Sequence, residues 1–231
     1  MAFPYFFEEN LTDSDEFILR EETSRHICQV LRMKEKEKIN ITNGKGYTVL
    51  AEIVLADKKK TKVKSIQKYL SGEPTPQTTI AISLIKNNNR FEWFAEKATE
   101  IGISKIIPII CQRTEKTHFK SERVKSILIS AMLQSQQSWL PELQEQIKIS
   151  EVIKNEKFDQ KFIAHCLDEE KKMLKNVVKS NTSKIILIGP EGDFTEDEIQ
   201  DAIQNNYLPV SLGTTRLRTE TAGIAAAVLL K

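Results

Sequence analysis

Two glycine-bearing stretches late in the chain have the residue types and spacing that suit a small ligand. An apolar run at 184–188 leads into residues 189–194, which read GPEGDF, and a second run at 209–212 leads into residues 213–223, which read GTTRLRTETAG. Glycines at strand exits let backbone amides and carbonyls approach a ligand closely. Such main-chain groups, with neighbouring leucines as apolar walls, favour an adenosine-type ligand. The alternative is that both stretches are ordinary turns between a strand and a helix.

The commoner nucleotide-binding sequences are missing. A dinucleotide-binding domain carries G-x-G-x-x-G after its first strand, whereas the apolar run at 79–85 is followed by KNNNR at 86–90. No Walker A sequence occurs in the chain. NAD and ATP therefore lose their strongest support as ligands.

The cysteines and histidines do not have the spacing of metal ligands. Cys28, Cys111 and Cys166 lie far apart without a C-x-x-C pair, and the three histidines are scattered. We therefore predict free thiols in a reducing compartment and no metal site. No apolar run reaches the roughly 18 residues of a membrane span, and the first residues lack the pattern of a signal peptide. These features predict a cytoplasmic protein without a membrane partner.

The elements that would position the two glycine stretches alternate between strands and helices. Apolar runs predict strands at 79–85, 106–111, 162–166, 184–188 and 209–212. Helical spacing predicts helices at 91–101, 121–138, 169–179, 195–206 and 219–231; Gly102 ends the first of these, and a capping box at 195–198 opens the fourth. This alternation predicts a mainly parallel sheet with helices on both faces. Ligands of such sheets bind beyond the carboxyl ends of the strands, where both glycine stretches lie.

The first 71 residues have a different pattern. Period-two alternation around the turn NGKG at 43–46 predicts several short strands in a small barrel or sandwich, with a short helix at 24–33. The sequence SGEPTP at 71–76 predicts a linker. Residues 25–68 carry 12 Lys and Arg against 4 Asp and Glu, although the whole chain has a net charge of only +2. This basic region predicts contact with phosphates; the alternative is a solvated, lysine-rich surface.

Five stretches together resemble one family. They are GPEGDF at 189–194, SLG at 211–213, LRTETA at 217–222, KATEIG at 97–102, and His26 with VLR at 30–32. They resemble the RsmE family, the 16S rRNA (uracil(1498)-N(3))-methyltransferases of the SPOUT superfamily, and they do so in order along the whole chain. Three positions depart from the family's pattern: Asp193 stands where glycine is frequent, Gln137 where an arginine is usual, and Leu133 where a glutamate is common.

The resemblance implies an α/β fold in two domains. Residues 1–71 would form a PUA-like β-barrel that binds RNA, and residues 77–231 a SPOUT methyltransferase domain with a mainly parallel sheet and a trefoil knot. The implied cofactor is S-adenosyl-L-methionine, and the implied partners are 16S rRNA in the small ribosomal subunit and a second copy of the chain. The cofactor-binding residues implied are Leu187, Ile188, Gly189, Pro190, Glu191, Gly192, Ser211, Leu212, Gly213, Leu217, Arg218, Thr219, Thr221 and Ala222.

Methylation at N3 of a uracil predicts chemical roles for Arg218 and Glu220. The reaction requires in-line positioning, loss of the N3 proton and stabilisation of the negative charge that develops on the ring. Arg218 is predicted to stabilise that charge because a guanidinium is always cationic, and Glu220 is the candidate base. An ordinary place in the first turn of a helix is the alternative for Glu220. The residues predicted to contact RNA are Arg25, His26, Arg32, Lys86 and Arg90.

Three other functions stay open at this point. A related SPOUT enzyme could methylate the ribose 2′-oxygen with the same cofactor loops. A non-catalytic RNA-binding protein would have lost cofactor binding, which a titration with S-adenosylmethionine would reveal. A small-molecule α/β enzyme would show substrate binding that salt does not affect, because no phosphate contacts would be lost.

Overall fold

The computed structural model describes residues 3–155, 157–167 and 170–231, which form two compact units. The first unit lies within Met1–Glu73 and also contains Met132–Leu140. The second unit lies within Pro74–Ala131 and Pro141–Lys231. The change from one unit to the next after Glu73 falls inside the predicted linker.

The first unit is a five-stranded sheet around its own apolar core. Its strands are β1 (Tyr5–Phe7), β2 (Glu16–Ile18), β3 (Lys38–Thr42), β4 (Tyr47–Leu55) and β5 (Lys62–Leu70). They lie in the order β1-β3-β4-β5-β2, and every pair except the parallel pair β1–β3 is antiparallel. Side chains at alternate positions, such as Ile39, Ile41, Val49 and Ile53, are fully buried. The period-two pattern thus predicted the inward face of this sheet correctly.

The predicted helix at 24–33 has different bounds in the structure. Helix α1 (Glu21–Arg25) comes first and continues directly into one π-helical turn at His26–Val30. The turn ends before Arg32, whose φ of 54° is left-handed. Arg25, His26 and Arg32, which are predicted to contact RNA, lie on or just after this segment and are exposed.

The segment Met132–Leu140 packs within the first unit although it is distant in sequence. The Gly46 amide donates to the Ser138 carbonyl at 2.9 Å, and the Trp139 indole Nε1 donates to the Ser71 carbonyl at 3.3 Å. A Cβ atom at Gly46 would lie 2.7 Å from the Trp139 ring, and the φ of Gly46 is 84°. Only glycine fits this close, left-handed position.

The second unit is a single parallel sheet, as the alternation of strands and helices predicted. Its strands are β6 (Thr78–Ser83), β7 (Lys105–Ile110), β8 (Glu142–Leu143), β9 (Ile147–Lys148), β10 (Gln160–Ala164), β11 (Lys172–Met173), β12 (Lys184–Ile188) and β13 (Leu208–Ser211). The order is β11-β13-β10-β12-β6-β7-β8, with β9 also beside β7, and all pairs are parallel. The fully buried β12 is central, so its exit lies beside those of β10 and β6.

The helices of the second unit have capping residues at some of their ends. They are α2 (Asn88–Ile101), α3 (Ser121–Gln134), α4 (Ile149–Asn155), α5 (Glu196–Gln204) and α6 (Thr219–Leu230). Gly102, with a φ of 89°, ends α2 as predicted. The predicted capping box opens α5, with Thr195 and Glu198 bonded to each other's backbone amides. Helix α3 ends earlier than predicted because Gln136 is left-handed and its amide and the next one bond back to the last turn.

The helix predicted at 169–179 is wrong for the part of it that the structure describes. Residue 169 lies outside the described residues, and the following segment contains β11 and a 3-10 turn at Leu174–Asn176. The spacing of Met173, Leu174, Val177 and Val178 resembles a helical face, but pairing of β11 with β13 at the sheet edge determines the structure. The short elements β8, β9 and α4 had no sequence prediction.

The predicted α/β fold, with a mainly parallel sheet after a small β-unit, is confirmed. The trefoil knot stays a prediction. Within the described ranges, no helix has the length and apolar character needed to cross a membrane.

Candidate active site

Two adjoining cavities lie at the carboxyl ends of three neighbouring strands, β13, β10 and β12. The first has a volume of about 310 Å³ and is lined mainly by residues that follow β12 and precede α6. The second has a volume of about 430 Å³ and is lined mainly by residues that follow β10 and β13. They share Ala164, Cys166, Arg216, Leu217 and Ala222, so we treat them as two lobes of one site. The size is that of a typical small-molecule pocket.

The structure brings most of the predicted cofactor-binding residues together around these cavities. The predicted residues that line one or both are Ile188, Gly189, Pro190, Glu191, Ser211, Leu212, Gly213, Leu217, Arg218, Thr219 and Ala222. Three predicted residues do not line either cavity: Leu187 is buried inside β12, Gly192 is exposed, and Thr221 lies on the outer face of α6.

The loop 189–194 is held from several sides. Arg113 Nη1 donates to the carbonyls of Gly192 at 2.8 Å and Phe194 at 3.3 Å. The Phe194 ring is buried, and a Cβ atom at Gly189 would lie 3.2 Å from it. The capping box at Thr195 then fixes the start of α5. These contacts fix the backbone of the loop before any ligand binds.

The loop 212–218 between β13 and α6 has fewer contacts. Ser211 Oγ donates to the Gly213 carbonyl at 2.7 Å and accepts from the Gly213 amide at 3.4 Å. Thr214, Thr215 and Arg216 are exposed. A Cβ atom at Gly213 would have open space around it. Arg218 precedes the first residue of α6 in an extended conformation and lines the first cavity.

Glu220 lies apart from the cavity lining. Its side chain is 9% exposed, and one carboxylate oxygen lies 3.6 Å from Nε of Arg90. The other oxygen is buried without a hydrogen-bond partner among the described residues. Glu220 therefore contacts the predicted RNA-binding residue Arg90, which is on α2, and not the cavity.

The remaining predicted RNA-binding residues are placed on the surfaces of their own units. Lys86 lies 2.8 Å from Glu115, and this carboxylate raises the pKa of Lys86 above its usual value. In the first unit, Arg25 pairs with Glu21 at 2.7 Å, and the His26 ring packs edge-to-face on Phe6. Arg32 is exposed. Two lysines of the basic region are also paired, Lys62 with Glu16 and Lys68 with Asp13.

Sequence reasoning missed the exit of β10 and the residue Asp193. Ala164 and Cys166 line both cavities, and the Cys166 thiol is the exposed one of three free cysteines. Burial and the nearby Asp193 raise the pKa of the Cys166 thiol. No glycine or motif marks residues 164–167, so only their place between β13 and β12 reveals them. Among the described residues, no cluster of three His, Cys, Asp or Glu side chains could hold a metal.

Comparison with known proteins matches families to both parts of the chain. Residues 72–231 match the RNA methyltransferase domain family, and residues 19–64 match the RNA methyltransferase PUA domain family. The ribosomal RNA small subunit methyltransferase E of Buchnera aphidicola subsp. Acyrthosiphon pisum (strain APS) is 28% identical, over 98% of this chain and 91% of its own length.

Two solved structures are similar over nearly the whole chain. A probable rRNA-methyltransferase from Porphyromonas gingivalis has a TM-score of 0.91 and 34% identity, covering 97% of this chain and 95% of its own. A ribosomal RNA small subunit methyltransferase E from Neisseria gonorrhoeae, bound to S-adenosyl methionine, has a TM-score of 0.87 and 27% identity, covering 98% and 95%. The family resemblance carried by the late loops is thereby confirmed. This protein belongs to the RNA methyltransferase family, with the ribosomal RNA small subunit methyltransferases E as its relatives.

Proposed function

We propose that this protein uses S-adenosylmethionine to methylate N3 of uridine 1498 in 16S rRNA of the small ribosomal subunit. The observation that carries the proposal is the cavity at the exits of β10, β12 and β13, with Arg218 in its wall. The names of the relatives support ribosomal RNA of the small subunit as the substrate, and the resemblance to the RsmE family supports the N3 position.

The cavity residues fit the cofactor by their chemistry. Gly189 and Gly213 line the cavities at two strand exits without a side chain, while Ile188, Leu212 and Leu217 give apolar walls for an adenosine. When bound, S-adenosylmethionine supplies an electrophilic methyl group on a sulfonium. The chain's own residues must then hold the uracil edge in line with that methyl group and exclude water.

Arg218 is positioned to stabilise the negative charge that a uracil develops when N3 loses its proton. Its guanidinium carries a permanent positive charge and lies in the cavity wall. Because Arg218 precedes α6 directly, the first turn of that helix adds unpaired backbone amides on the same side. Fixed donors of this kind cost no reorganisation during the reaction.

The burial of Glu220 supports a positioning role for it more strongly than the role of base. One Glu220 oxygen lies 3.6 Å from Nε of Arg90 and the other is buried from solvent, so the carboxylate cannot accept the N3 proton of a uracil in the cavity without moving. Its contact with Nε orients the rest of the Arg90 guanidinium, which is 38% exposed. Arg90 and the exposed Lys86 would then contact phosphates of the RNA.

A homodimer and an RNA-binding first unit complete the proposal. Helix α6 presents an uncharged, mostly apolar face made of Thr221, Ile224, Ala225 and Val228, and Val228 is 58% exposed. A self-complementary contact of two such faces is the commonest kind of dimer interface. We expect Val228→Glu to convert a dimer into a monomer in light scattering; an unchanged mass would exclude this face. The place of action we propose is the cytoplasm, where small ribosomal subunits are found.

The experiment that tests the function uses small ribosomal subunits that lack this methylation. Purified protein and S-adenosylmethionine are added, the rRNA is digested, and nucleosides are identified by mass spectrometry. We expect 3-methyluridine with the wild type. With Arg218→Ala we expect a rate at least about 100-fold lower, the loss typical of removing one donor at a developing charge. A 2′-O-methyl nucleoside would show that the proposed target atom is wrong. Absence of both methylated product and cofactor binding would favour a non-catalytic RNA-binding protein.

A further inference from the structure

Asp193 has a backbone and side-chain geometry that no other residue of its loop has. Its φ of 63° is left-handed, a conformation that L-residues other than Asn, Asp and Gly seldom adopt. The Asp193 amide donates to the Pro190 carbonyl at 2.9 Å, which closes the turn after β12. Its half-buried side chain lines the first cavity.

The Asp193 carboxylate connects two strand exits. One oxygen accepts from the Cys166 backbone amide at 2.7 Å, and the other accepts from the Phe194 amide at 2.8 Å. Strands β10 and β12 pair in register as far as Ala164 and Ile188. Beyond that pair, the segments that follow the two strands are no longer paired as a sheet, and the Asp193 carboxylate joins them on the wall of the cavity.

The two hydrogen bonds that the Asp193 carboxylate accepts are charge-assisted. Backbone amides that donate to an ionised carboxylate form shorter and stronger bonds than those to a neutral oxygen. Both amides lie at loop positions where no strand partner is available to them. The carboxylate thus joins the exit of β10 to the loop 189–194, while the other end of that loop is bonded to Arg113.

We infer that Asp193 is a positioning residue of the cofactor cavity, whose carboxylate fixes the exit of β10 against the loop after β12. The inference rests on the proposed function for the identity of the ligand, but the tie itself is a property of the free protein. Glycine at this position would keep the left-handed turn and lose both hydrogen bonds of the carboxylate.

Cofactor affinity provides the first test. Asp193→Gly and Asp193→Asn both tolerate the positive φ, so neither strains the backbone. The glycine variant loses both bonds, and the asparagine variant keeps a single acceptor oxygen. We expect the Kd for S-adenosylmethionine, measured by calorimetry, to rise about tenfold in the glycine variant and about threefold in the asparagine variant. Asp197→Asn removes an exposed carboxylate four residues away and serves as the control, with an unchanged Kd.

Alkylation of Cys166 provides the second test and needs no cofactor. The charged groups that affect this thiol are Asp193, which raises its pKa, and Arg216 and Lys171, which lower it. Removing the Asp193 charge therefore lowers the pKa, so the thiolate forms at lower pH. In peptide-resolved mass spectrometry with iodoacetamide, we expect the midpoint of the rate–pH profile at Cys166 to fall in both Asp193 variants. The midpoint should stay in place in Asp197→Asn.

The two measurements separate the inference from the proposed function. If the wild type binds S-adenosylmethionine and Asp193→Gly binds it equally well, the inference is wrong and the function stands. If the Cys166 midpoint does not move in either Asp193 variant, the carboxylate does not hold the exit of β10 and the inference is also wrong. If the wild type does not bind S-adenosylmethionine, the proposed function fails. The alkylation profile alone then tests whether the Asp193 carboxylate holds the exit of β10.

Discussion

The two loops that form the candidate site differ in how firmly the protein holds them. The loop 189–194 is bonded to Arg113 on one side and, through Asp193, to the exit of β10 on the other. The loop 212–218 has one side-chain hydroxyl, that of Ser211, bonded to its backbone, and its residues 214–216 are exposed. The glycines show the same difference, because a Cβ atom would be crowded at Gly189 and free at Gly213.

This difference indicates how the site can be both preorganised and accessible. A loop that is fixed in the free protein contributes to affinity because no ordering entropy is lost on binding. A loop with few contacts can open to admit the ligand and then close over it. We therefore interpret 189–194 as the fixed wall of the cavity and 212–218 as the adaptable wall, which also carries Arg218.

The largest difference between the two walls is expected from a matched pair of alanine substitutions, one in each loop. Gly189→Ala places a Cβ atom 3.2 Å from the buried Phe194 ring, and we expect a loss of about 1–3 kcal/mol in the free energy of unfolding. Gly213→Ala meets no neighbour within 4 Å and requires no left-handed backbone. We expect it to be neutral or to stabilise by about 0.5 kcal/mol.

Urea unfolding of both variants beside the wild type gives this measurement. The comparison fails if Gly213→Ala is the more destabilised of the two. Cofactor affinity of each variant adds a second readout, because the fixed wall should lose affinity when its packing changes.

Removing the hydrogen bonds that Arg113 donates to the loop 189–194 should have a smaller effect on stability. Arg113→Ala removes the donor to the Gly192 and Phe194 carbonyls, and we expect about 1.5 kcal/mol of lost stability, at the low end for a charged donor because Arg113 is exposed. Arg113→Lys keeps the charge and should restore part of it. Equal stability of the alanine variant and the wild type in thermal unfolding would show that these bonds do not hold the loop.

The smallest effect is expected where the fixed wall joins α5. Thr195→Ala removes the hydroxyl that accepts from the Glu198 amide, and loss of such a cap costs about 1 kcal/mol. Thr195→Ser keeps the hydroxyl and is the control. Circular dichroism melting of both variants measures the difference, and an alanine variant as stable as the serine variant would exclude a role for the cap.

The sequence was most informative where structure depends on local residues. Strand β12 has the bounds predicted for it, Gly102 ends α2, and the Thr195 capping box opens α5 as expected. The placement of the two glycine stretches at the same edge of the sheet also followed from the alternation of elements, because parallel strands end at one edge of a sheet.

The remainder depends on contacts between distant residues, which periodicity does not encode. The exit of β10 joins the site only because β10 lies between β13 and β12 in the sheet. The Asp193 tie joins residues 27 positions apart, and the ion pair of Arg90 with Glu220 joins α2 to α6. The packing of Met132–Leu140 within the first unit is likewise non-local. None of these has a sequence signature.

The measurement that tests the two-wall account most directly is amide hydrogen exchange with and without S-adenosylmethionine. In the free protein we expect the amides of Asp193 and Phe194, which are hydrogen-bonded, to exchange slowly and those of residues 214–217 to exchange fast. Addition of the cofactor should then protect residues 213–218 far more than residues 191–194. Equal exchange of the two loops in the free protein, or protection confined to 191–194, would contradict the account.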